Sequence, residues 1–251
     1  LAWGPRTQVG VVTTAMNLVS QDGSMPISRL DREVRLGASL SSGDLEELYP
    51  NLPAGMVGAI QGEMYLLQAV RDPQVDRYFG LRLGALGKLV AELTSPLRDA
   101  PSRYREAYYQ DVEEVIHDLP LDYLSQKDID PNVFFERLLV QVNDRSDVIL
   151  RDYQEGLGFD GLARSSVAAD VGLSVSAVAD TWYTILRGPA QLGNVSRQQQ
   201  IDYLLKALEF YIDRRSVNDI SNTVDRVQQK GRGTIELEKR MGDLFYAAGE
   251  Y

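Results

Sequence analysis

Three charged residues lie in a segment that is otherwise suited to burial. Lys88 and Glu92 are four residues apart, so on a helix they share one face, about 6 Å apart along the axis. Arg98 follows six residues later, beyond the helix end that Pro96 predicts. A surface ion pair worth about a few tenths of a kcal/mol is the simpler interpretation, but the segment has no obvious polar face. Its apolar and small residues are Leu83, Gly84, Ala85, Leu86, Leu89, Val90, Ala91 and Leu93.

The composition excludes several kinds of chemistry. The chain has no cysteine and a single histidine, His117, which excludes disulfides, thiolate nucleophiles and zinc sites built on several histidines. The formal net charge of −10 argues against nucleic-acid binding and against docking on anionic membranes, because both need a basic surface. No apolar run approaches the roughly 18–20 residues of a transmembrane helix. We therefore expect neither nucleic-acid binding nor a transmembrane segment.

The hydrophobic pattern predicts an all-α protein. Apolar residues recur at helical spacing in roughly nine segments, and strand signals are weak throughout. Residues 21–55 read as loop-rich, with one short helix near 29–38. Asp72 and Pro73 are expected to open a helix that ends near Thr94, and Ser174 is expected to cap a helix over 174–187. Residues 6–20 fit a helix or, from their β-branched residues, a strand, and helix is the favoured prediction. The other predicted helices cover residues 56–71, 101–118, 131–155, 197–214, 216–229 and 234–248.

The composition changes at residues 188–197. The helices before this segment contain many Gly and Ala residues, and those after it are rich in Gln, Arg and Glu. We therefore expect a helical domain over 1–188 and a C-terminal helical appendage over 189–251, which packs on the body or on a partner. The appendage is the expected surface for a protein partner of unknown identity.

The spacing of the charged set resembles the zinc-ligand pattern of the zinc-dependent phospholipase C and fungal single-strand nuclease superfamily. In that family a His is followed four residues later by Asp or Glu and six further on by a second His, with Pro two residues before it. Here Lys88, Glu92, Pro96 and Arg98 keep the spacing, and both histidines are replaced. The resemblance covers roughly residues 3–187. It implies a multi-helix bundle of the kind that holds three clustered zinc ions for phosphodiester hydrolysis.

Two stretches nearer the N-terminus extend the resemblance. Family members begin with Trp and have a His five residues later, where this chain has Trp3 and Gln8. The bridging Asp of the family corresponds to Asp44 in the stretch LGASLSSGDL. The His expected about 15 residues beyond Asp44 has no counterpart near Gly58–Ala59.

A third stretch corresponds to the family's His-x-x-x-Glu helix. The stretch YYQDVEEVI offers Tyr109 with Glu113, or alternatively Gln110 with Glu114. The resemblance thus implies eight former metal-site positions: Trp3, Gln8, Asp44, Lys88, Glu92, Arg98, Tyr109 and Glu113.

Replacing histidine by lysine or arginine does more than remove a ligand, because it places a fixed cation where a metal ion would bind. We therefore expect no zinc, no other cofactor and no catalytic residue at these positions. Without metal, the three carboxylates Asp44, Glu92 and Glu113 would be buried with no counter-charge. Each would then destabilise the fold by about several kcal/mol. Lys88 and Arg98 offer the counter-charge. We expect an ion-pair network in place of the cluster or, if the cleft stays open, an anion site at Lys88 and Arg98.

The predicted function is that of a non-catalytic relative of these phosphodiesterases, acting as a binding or structural module. One alternative is a phosphodiester hydrolase that holds Mg, Ca or Mn through oxygen ligands alone. Another is an unrelated helical protein-interaction domain in which the spacing is coincidental. The oxygen ligands available to the hydrolase are Asp44, Glu92, Asp99, Glu113 and Glu114.

The start of the chain and the resemblance together predict export. The family is secreted, and the chain begins Leu1-Ala2-Trp3, where the small Ala2 fits the residue before a signal cleavage. If cleavage follows Ala2, Trp3 has the free amine that is a zinc ligand in the family. If the mature chain begins at Leu1, that ligand is also lost.

Overall fold

The structure is a computed structural model that describes residues 3–21, 26–71, 75–118, 127–189, 192–231 and 235–249. Within these ranges the chain is helical and has no strand, so the all-α prediction is confirmed. The α-helices are α1 (Pro5–Ser20), α2 (Asp31–Ala38), α3 (Ser42–Leu48), α4 (Met56–Val70), α5 (Arg77–Leu93), α6 (Ser102–Val115), α7 (Pro131–Gln154), α8 (Leu162–Arg187), α9 (Arg197–Asp213), α10 (Val217–Gly231) and α11 (Ile235–Ala247). Short 3-10 segments cover Pro26–Leu30, Leu52–Ala54, Ile116–Asp118, Gly158–Asp160 and Leu192–Asn194.

The chain forms two compact units, Leu1–Pro189 and Ala190–Tyr251. The first unit contains α1 to α8 and all eight predicted site positions, and the second contains α9 to α11. In the second unit α9 packs against α10 and α11. Its helices are joined by an ion pair between Arg240 and Asp202 at 3.0 Å, and by a bond of 2.6 Å from Lys230 Nζ to Gln200 Oε1.

α5 is the central helix of the first unit. Nearly all of its residues are buried, and α1, α2, α4 and α8 pack against it. Its N-cap is Asp76, whose side chain accepts a bond of 2.9 Å from the backbone N–H of Phe79. The expected opening at Asp72 and Pro73 lies outside the described residues, and the helix itself begins at Arg77.

α2 and α5 cross with their backbones in contact, and two glycines make this contact. A Cβ built on Gly84 would lie 1.9 Å from the carbonyl oxygen of Val34. A Cβ built on Gly37 would lie 2.0 Å from the carbonyl oxygen of Leu81. Backbone atoms cannot move aside as a flexible side chain can, so any larger residue at either position separates the two helices.

A buried ion pair lies on a second face of α5. The guanidinium of Arg82 binds the carboxylate of Glu63 on α4 through two bonds of 2.7 and 2.5 Å, and the two side chains are 5% and 2% exposed. The rings of Tyr49 and Tyr78 lie 5.3 and 5.8 Å from the guanidinium carbon. This cluster satisfies a charge that would otherwise be costly to bury.

α8 differs most from its predicted form. It begins at Leu162, so Ser174 lies in its middle and the predicted N-cap role of Ser174 is wrong. The Ser174 hydroxyl donates instead to the carbonyl oxygen of Asp170, 3.3 Å away in the preceding turn. The region 21–55 also contains one more helix than predicted, because Ser41 and Asp44 form a capping box that opens α3.

α8 is the one helix in the described ranges whose length and composition would suit a membrane span. Of its most apolar window, 61% is buried inside the protein, as in an ordinary core helix, so this is weak support for a span. No clear transmembrane segment is found in the part of the chain that the structure describes.

We expect Gly84→Ala to lower the free energy of unfolding by about 3 kcal/mol, because the new methyl group meets the backbone of α2. Gly10→Ala is the matched control. Gly10 lies inside α1 with open space around its Cα, so alanine there should stabilise by up to about 1 kcal/mol. Urea unfolding of both variants measures the difference. Equal effects of the two substitutions would contradict the proposed backbone contact.

Candidate functional site

The predicted site begins at the N-terminus of α1, where Glu113 of α6 serves as a distant helix cap. One carboxylate oxygen accepts the backbone N–H of Arg6 at 3.0 Å. The other accepts the backbone N–H and the hydroxyl of Thr7, both at 2.7 Å. The unpaired N–H groups at a helix start favour a negative charge, so both carboxylate oxygens of Glu113 are engaged in holding α1 against α6.

Gly4 makes room for this cap. It is the N-cap residue of α1, and its φ of −58° is open to any residue. A Cβ at Gly4 would lie 2.4 Å from the side-chain carbons of Glu113. The glycine is therefore required by close approach and not by its backbone conformation. Because glycine has no side chain, α1 has no side-chain cap at its own N-cap position, and Glu113 takes that role.

Trp3 is buried beside this helix start. Its indole N–H donates to the Ser174 hydroxyl at 3.1 Å, and the Thr94 hydroxyl donates to the same oxygen at 2.8 Å. The Trp3 ring lies 6.1 Å from the ring of Tyr108 and 5.7 Å from that of Tyr109. These contacts connect the start of the chain to α8, to the end of α5 and to α6.

Tyr109 holds the segment that follows α5. Its hydroxyl donates to the carbonyl oxygen of Pro96 at 2.7 Å and lies 3.2 Å from the hydroxyl oxygen of Ser95. Burial raises the pKa of Tyr109 to about 12, so the hydroxyl stays a donor at neutral pH. Leu97, which follows Pro96 in the chain, is buried and has a φ of 60°. Its backbone N–H donates to the Ser146 hydroxyl oxygen of α7 at 3.2 Å. This strained turn is fixed from two sides.

Arg98 follows the strained turn and lines a cavity of about 400 Å³ between this turn and α7. Its guanidinium is held by the neighbouring Asp99, with bonds of 3.1 and 2.6 Å to the two carboxylate oxygens. The fork that could bind a carboxylate or phosphate is thus occupied by a residue of the chain itself.

Lys88 is buried, and its ammonium donates to the carbonyl oxygen of Leu40 in the segment between α2 and α3. Lys88 lines neither the cavity at Arg98 nor a second cavity of about 380 Å³ between α7 and α8. The structure therefore does not bring Lys88 and Arg98 together into one open anion site in these two cavities.

Asp44 is exposed, which differs from the expectation of a stranded carboxylate. One of its oxygens accepts the backbone N–H of Ser41 at 2.9 Å and the Ser41 hydroxyl at 2.6 Å. These two bonds hold the pKa of Asp44 below its usual range, and the charge of Lys88 adds to the effect. The electrostatic influence of Lys88 reaches Asp44, but the carboxylate is engaged in the capping box.

Glu92 is the one predicted carboxylate with no side-chain hydrogen bond among the described residues. Burial raises its pKa, while the positive charges of Lys88 and Arg98 act in the opposite direction. Its environment thus combines partial desolvation with two nearby cations.

Gln8 completes the set of predicted positions. Its side-chain nitrogen is buried and has no hydrogen-bond partner in the part of the chain that the structure describes. Gln8 as a whole is half-buried, and within the described ranges it makes no hydrogen bond with the other predicted positions that would indicate a binding role.

Contact distances lend no support to the predicted ion-pair network, which stays a prediction. Within the described ranges, neither Lys88 nor Arg98 forms an ion pair with Asp44, Glu92 or Glu113. The physical reason is that Asp44, Glu113 and both cations have nearer partners: a capping hydroxyl, a helix start, a carbonyl oxygen and an adjacent carboxylate. The structure brings Trp3, Tyr109 and Glu113 together around α1. It links Asp44, Lys88, Glu92 and Arg98 only through longer-range charge effects.

The donors at the eight positions do not fit a zinc cluster. They include no His or Cys, and two of them are cations. In the described ranges no three His, Cys, Asp or Glu side chains group as they would around a metal ion. That zinc is absent from the protein stays a prediction.

Comparison with known proteins adds no relative, because no family model, no curated protein and no solved structure matches the chain. The resemblance to the phospholipase C and nuclease superfamily rests on the residues quoted from the sequence and stays a prediction.

Sequence reasoning missed the polar partners of these residues. Thr7 contacts Glu113 and Ser174 contacts Trp3, yet Thr7 reads as an ordinary helix residue and Ser174 reads as a helix cap. The one usable signal was Gly4-Pro5, a helix start with no capping side chain of its own. It indicates that a group from elsewhere caps α1, without saying which one.

We expect the effect of Gly4→Ser on stability to depend on Glu113. In the wild-type background, the serine collides with Glu113 and should lower the free energy of unfolding by more than about 1 kcal/mol. In the Glu113→Ala background, the same serine has room to cap α1 and should be neutral or stabilising by about a few tenths of a kcal/mol. A double-mutant cycle from urea unfolding measures this coupling. An equal loss in both backgrounds would show that Glu113 does not cap α1.

We also expect the pKa of Glu92 to report the charge of Lys88. Lys88→Met keeps the length of the side chain and removes its charge, so the pKa of Glu92 should rise further above its ordinary value. Carboxyl carbon NMR titration of both proteins measures the change. Arg105→Gln is the control, since Arg105 influences Tyr109 and Asp99 and should leave Glu92 unchanged. If the pKa of Glu92 is the same in Lys88→Met as in the wild-type protein, Lys88 is not the counter-charge of Glu92.

Proposed function

We propose that the unit Leu1–Pro189 is a non-catalytic relative of the zinc-dependent phospholipase C and nuclease superfamily, acting as a structural and binding module. In this proposal, several positions that hold zinc in the family serve here to join helices. The proposal combines the sequence resemblance with the internal contacts that those positions make.

The observation that carries the proposal is the double engagement of Glu113. Both of its carboxylate oxygens accept hydrogen bonds at the start of α1, three bonds in all. Three of the roughly four lone-pair sites of this carboxylate are thus taken by α1, which leaves little acceptor capacity for a metal ion. The residue that corresponds to a metal ligand in the resemblance is thus committed to the fold.

The two cations support the same proposal. A divalent ion near Glu92 would be repelled by Lys88 and Arg98, whose charges already act on that carboxylate. Lys88 is also fixed by its bond to Leu40, so it cannot swing away without leaving a buried polar group unpaired. The alternative of an oxygen-ligated metal hydrolase has to overcome both effects.

We extend the proposal to a protein partner that binds the helices of the second unit. α10 and α11 leave Val217 and Tyr246 largely exposed, at 75% and 70%. Large exposed apolar groups at helix ends suit contact with another chain, although each alone is common on protein surfaces.

The test of the proposal is the metal content and the phosphodiesterase activity of the purified chain. We expect far less than one bound metal ion per chain after purification without chelator. We expect no hydrolysis of bis(p-nitrophenyl) phosphate above the buffer rate with zinc, manganese or calcium supplied in turn. Elemental analysis and the release of p-nitrophenol measure the two quantities.

A matched pair of variants makes the result decisive. Stoichiometric metal together with turnover that is lost in Glu92→Gln, but kept in the control Glu106→Gln, would replace the proposal by the oxygen-ligated hydrolase. Glu106 is exposed on α6 and has none of the contacts described for the site.

A further inference from the structure

A second cavity lies apart from the eight predicted positions, between α7 and α8. It encloses about 380 Å³, which is within the range of small-molecule pockets. Its apolar wall is formed by Val133, Phe134 and Leu138 from α7, with Leu173 and Ala177 from α8. None of the eight former metal-site positions lines it.

The acids at this cavity are engaged with backbone groups. One oxygen of Asp130 caps α7 by accepting the backbone N–H of Asn132 at 3.0 Å. One oxygen of Asp180 accepts the backbone N–H of Lys127 at 2.8 Å. Burial raises the pKa of Asp180 to about 6, while the backbone N–H and the charge of Lys127 act in the opposite direction, so this carboxylate remains mostly ionised at neutral pH.

The two cations at this cavity differ: the charge of Lys127 acts on the Asp180 carboxylate, whereas Arg137 has no ionic partner among the described residues. Lys127 and Arg137 both line it, and both are exposed. Neither ammonium nor guanidinium forms an ion pair or a side-chain hydrogen bond with another residue in the described ranges. By contrast, Arg82 and Arg145 in the same unit pair with Glu63 and Asp170.

We propose that this cavity binds a small amphipathic carboxylate, with its apolar part against Phe134 and Leu138 and its carboxylate on Arg137. A guanidinium binds a carboxylate through two parallel bonds, and Lys127 adds a second positive charge at the same rim. The apolar wall next to the unpaired guanidinium of Arg137 matches a molecule with one apolar and one anionic end. The assignment is independent of the former metal site and of the function proposed above.

Octanoate is the probe. The two controls are acetate, which keeps the carboxylate, and octan-1-ol, which keeps the apolar chain. We expect saturable binding of octanoate by isothermal titration calorimetry, with amide chemical-shift changes confined to the residues around the cavity on α7 and α8. Acetate lacks the apolar part and octan-1-ol lacks the charge, so each should bind at least about tenfold more weakly. Octan-1-ol that binds as tightly as octanoate would overturn the carboxylate assignment.

Substitutions on one helix separate a specific contact from general electrostatics. Arg137→Gln removes a charge-assisted pair and should weaken octanoate binding by about tenfold or more. Arg151→Gln is the control, because Arg151 is exposed on the same helix but does not line the cavity. Both substitutions remove one positive charge from an exposed position, so neither threatens the fold. Equal weakening by the two, or no saturable binding of octanoate to the wild-type chain, would overturn the proposal.

Discussion

The nearly complete burial of α5 by its neighbours is the constraint on which the first unit depends. A helix that is buried on all sides must satisfy every polar group along it inside the protein. On one side glycine lets the backbone of α2 approach directly, and on another Arg82 is neutralised by Glu63. Lys88 ends on the carbonyl oxygen of Leu40. The two buried cations of this helix, Arg82 and Lys88, are therefore tolerated because each has a fixed acceptor on a neighbouring element.

The polar groups at the start of α1 are also satisfied inside the protein, but by residues that are distant in sequence. Its first N–H groups have no local cap, and Glu113 reaches them from α6. Trp3 adds a bond to Ser174, which Thr94 also contacts. Segments far apart in sequence are thus joined by side-chain hydrogen bonds around one point. A metal cluster can join distant segments in a similar way, but here side-chain hydrogen bonds make the connection.

Local signals in the sequence predicted the helical class and most helices, because apolar periodicity and N-caps act within a few residues. The start of α8 could not be predicted in this way, since a serine inside a helix and a serine at its cap look alike until the tertiary partner is known. The same limit applied to the site. The spacing of Lys88, Glu92 and Arg98 indicated charges near one another, but their partners proved to be a carbonyl oxygen and an adjacent carboxylate, which no spacing reveals.

The distinction between engaged and unengaged charges also separates structure from function in this unit. Arg82 and Lys88 are buried, and each satisfies its charge within the fold, so their substitution would be felt chiefly as lost stability. Arg137 and Lys127 are exposed at a cavity and contribute no ion pair that the described part of the fold needs. A chain with a net charge of −10 offers many carboxylates to pair with them. That Arg137 nevertheless has no ionic partner among the described residues is the observation on which the proposed carboxylate ligand rests.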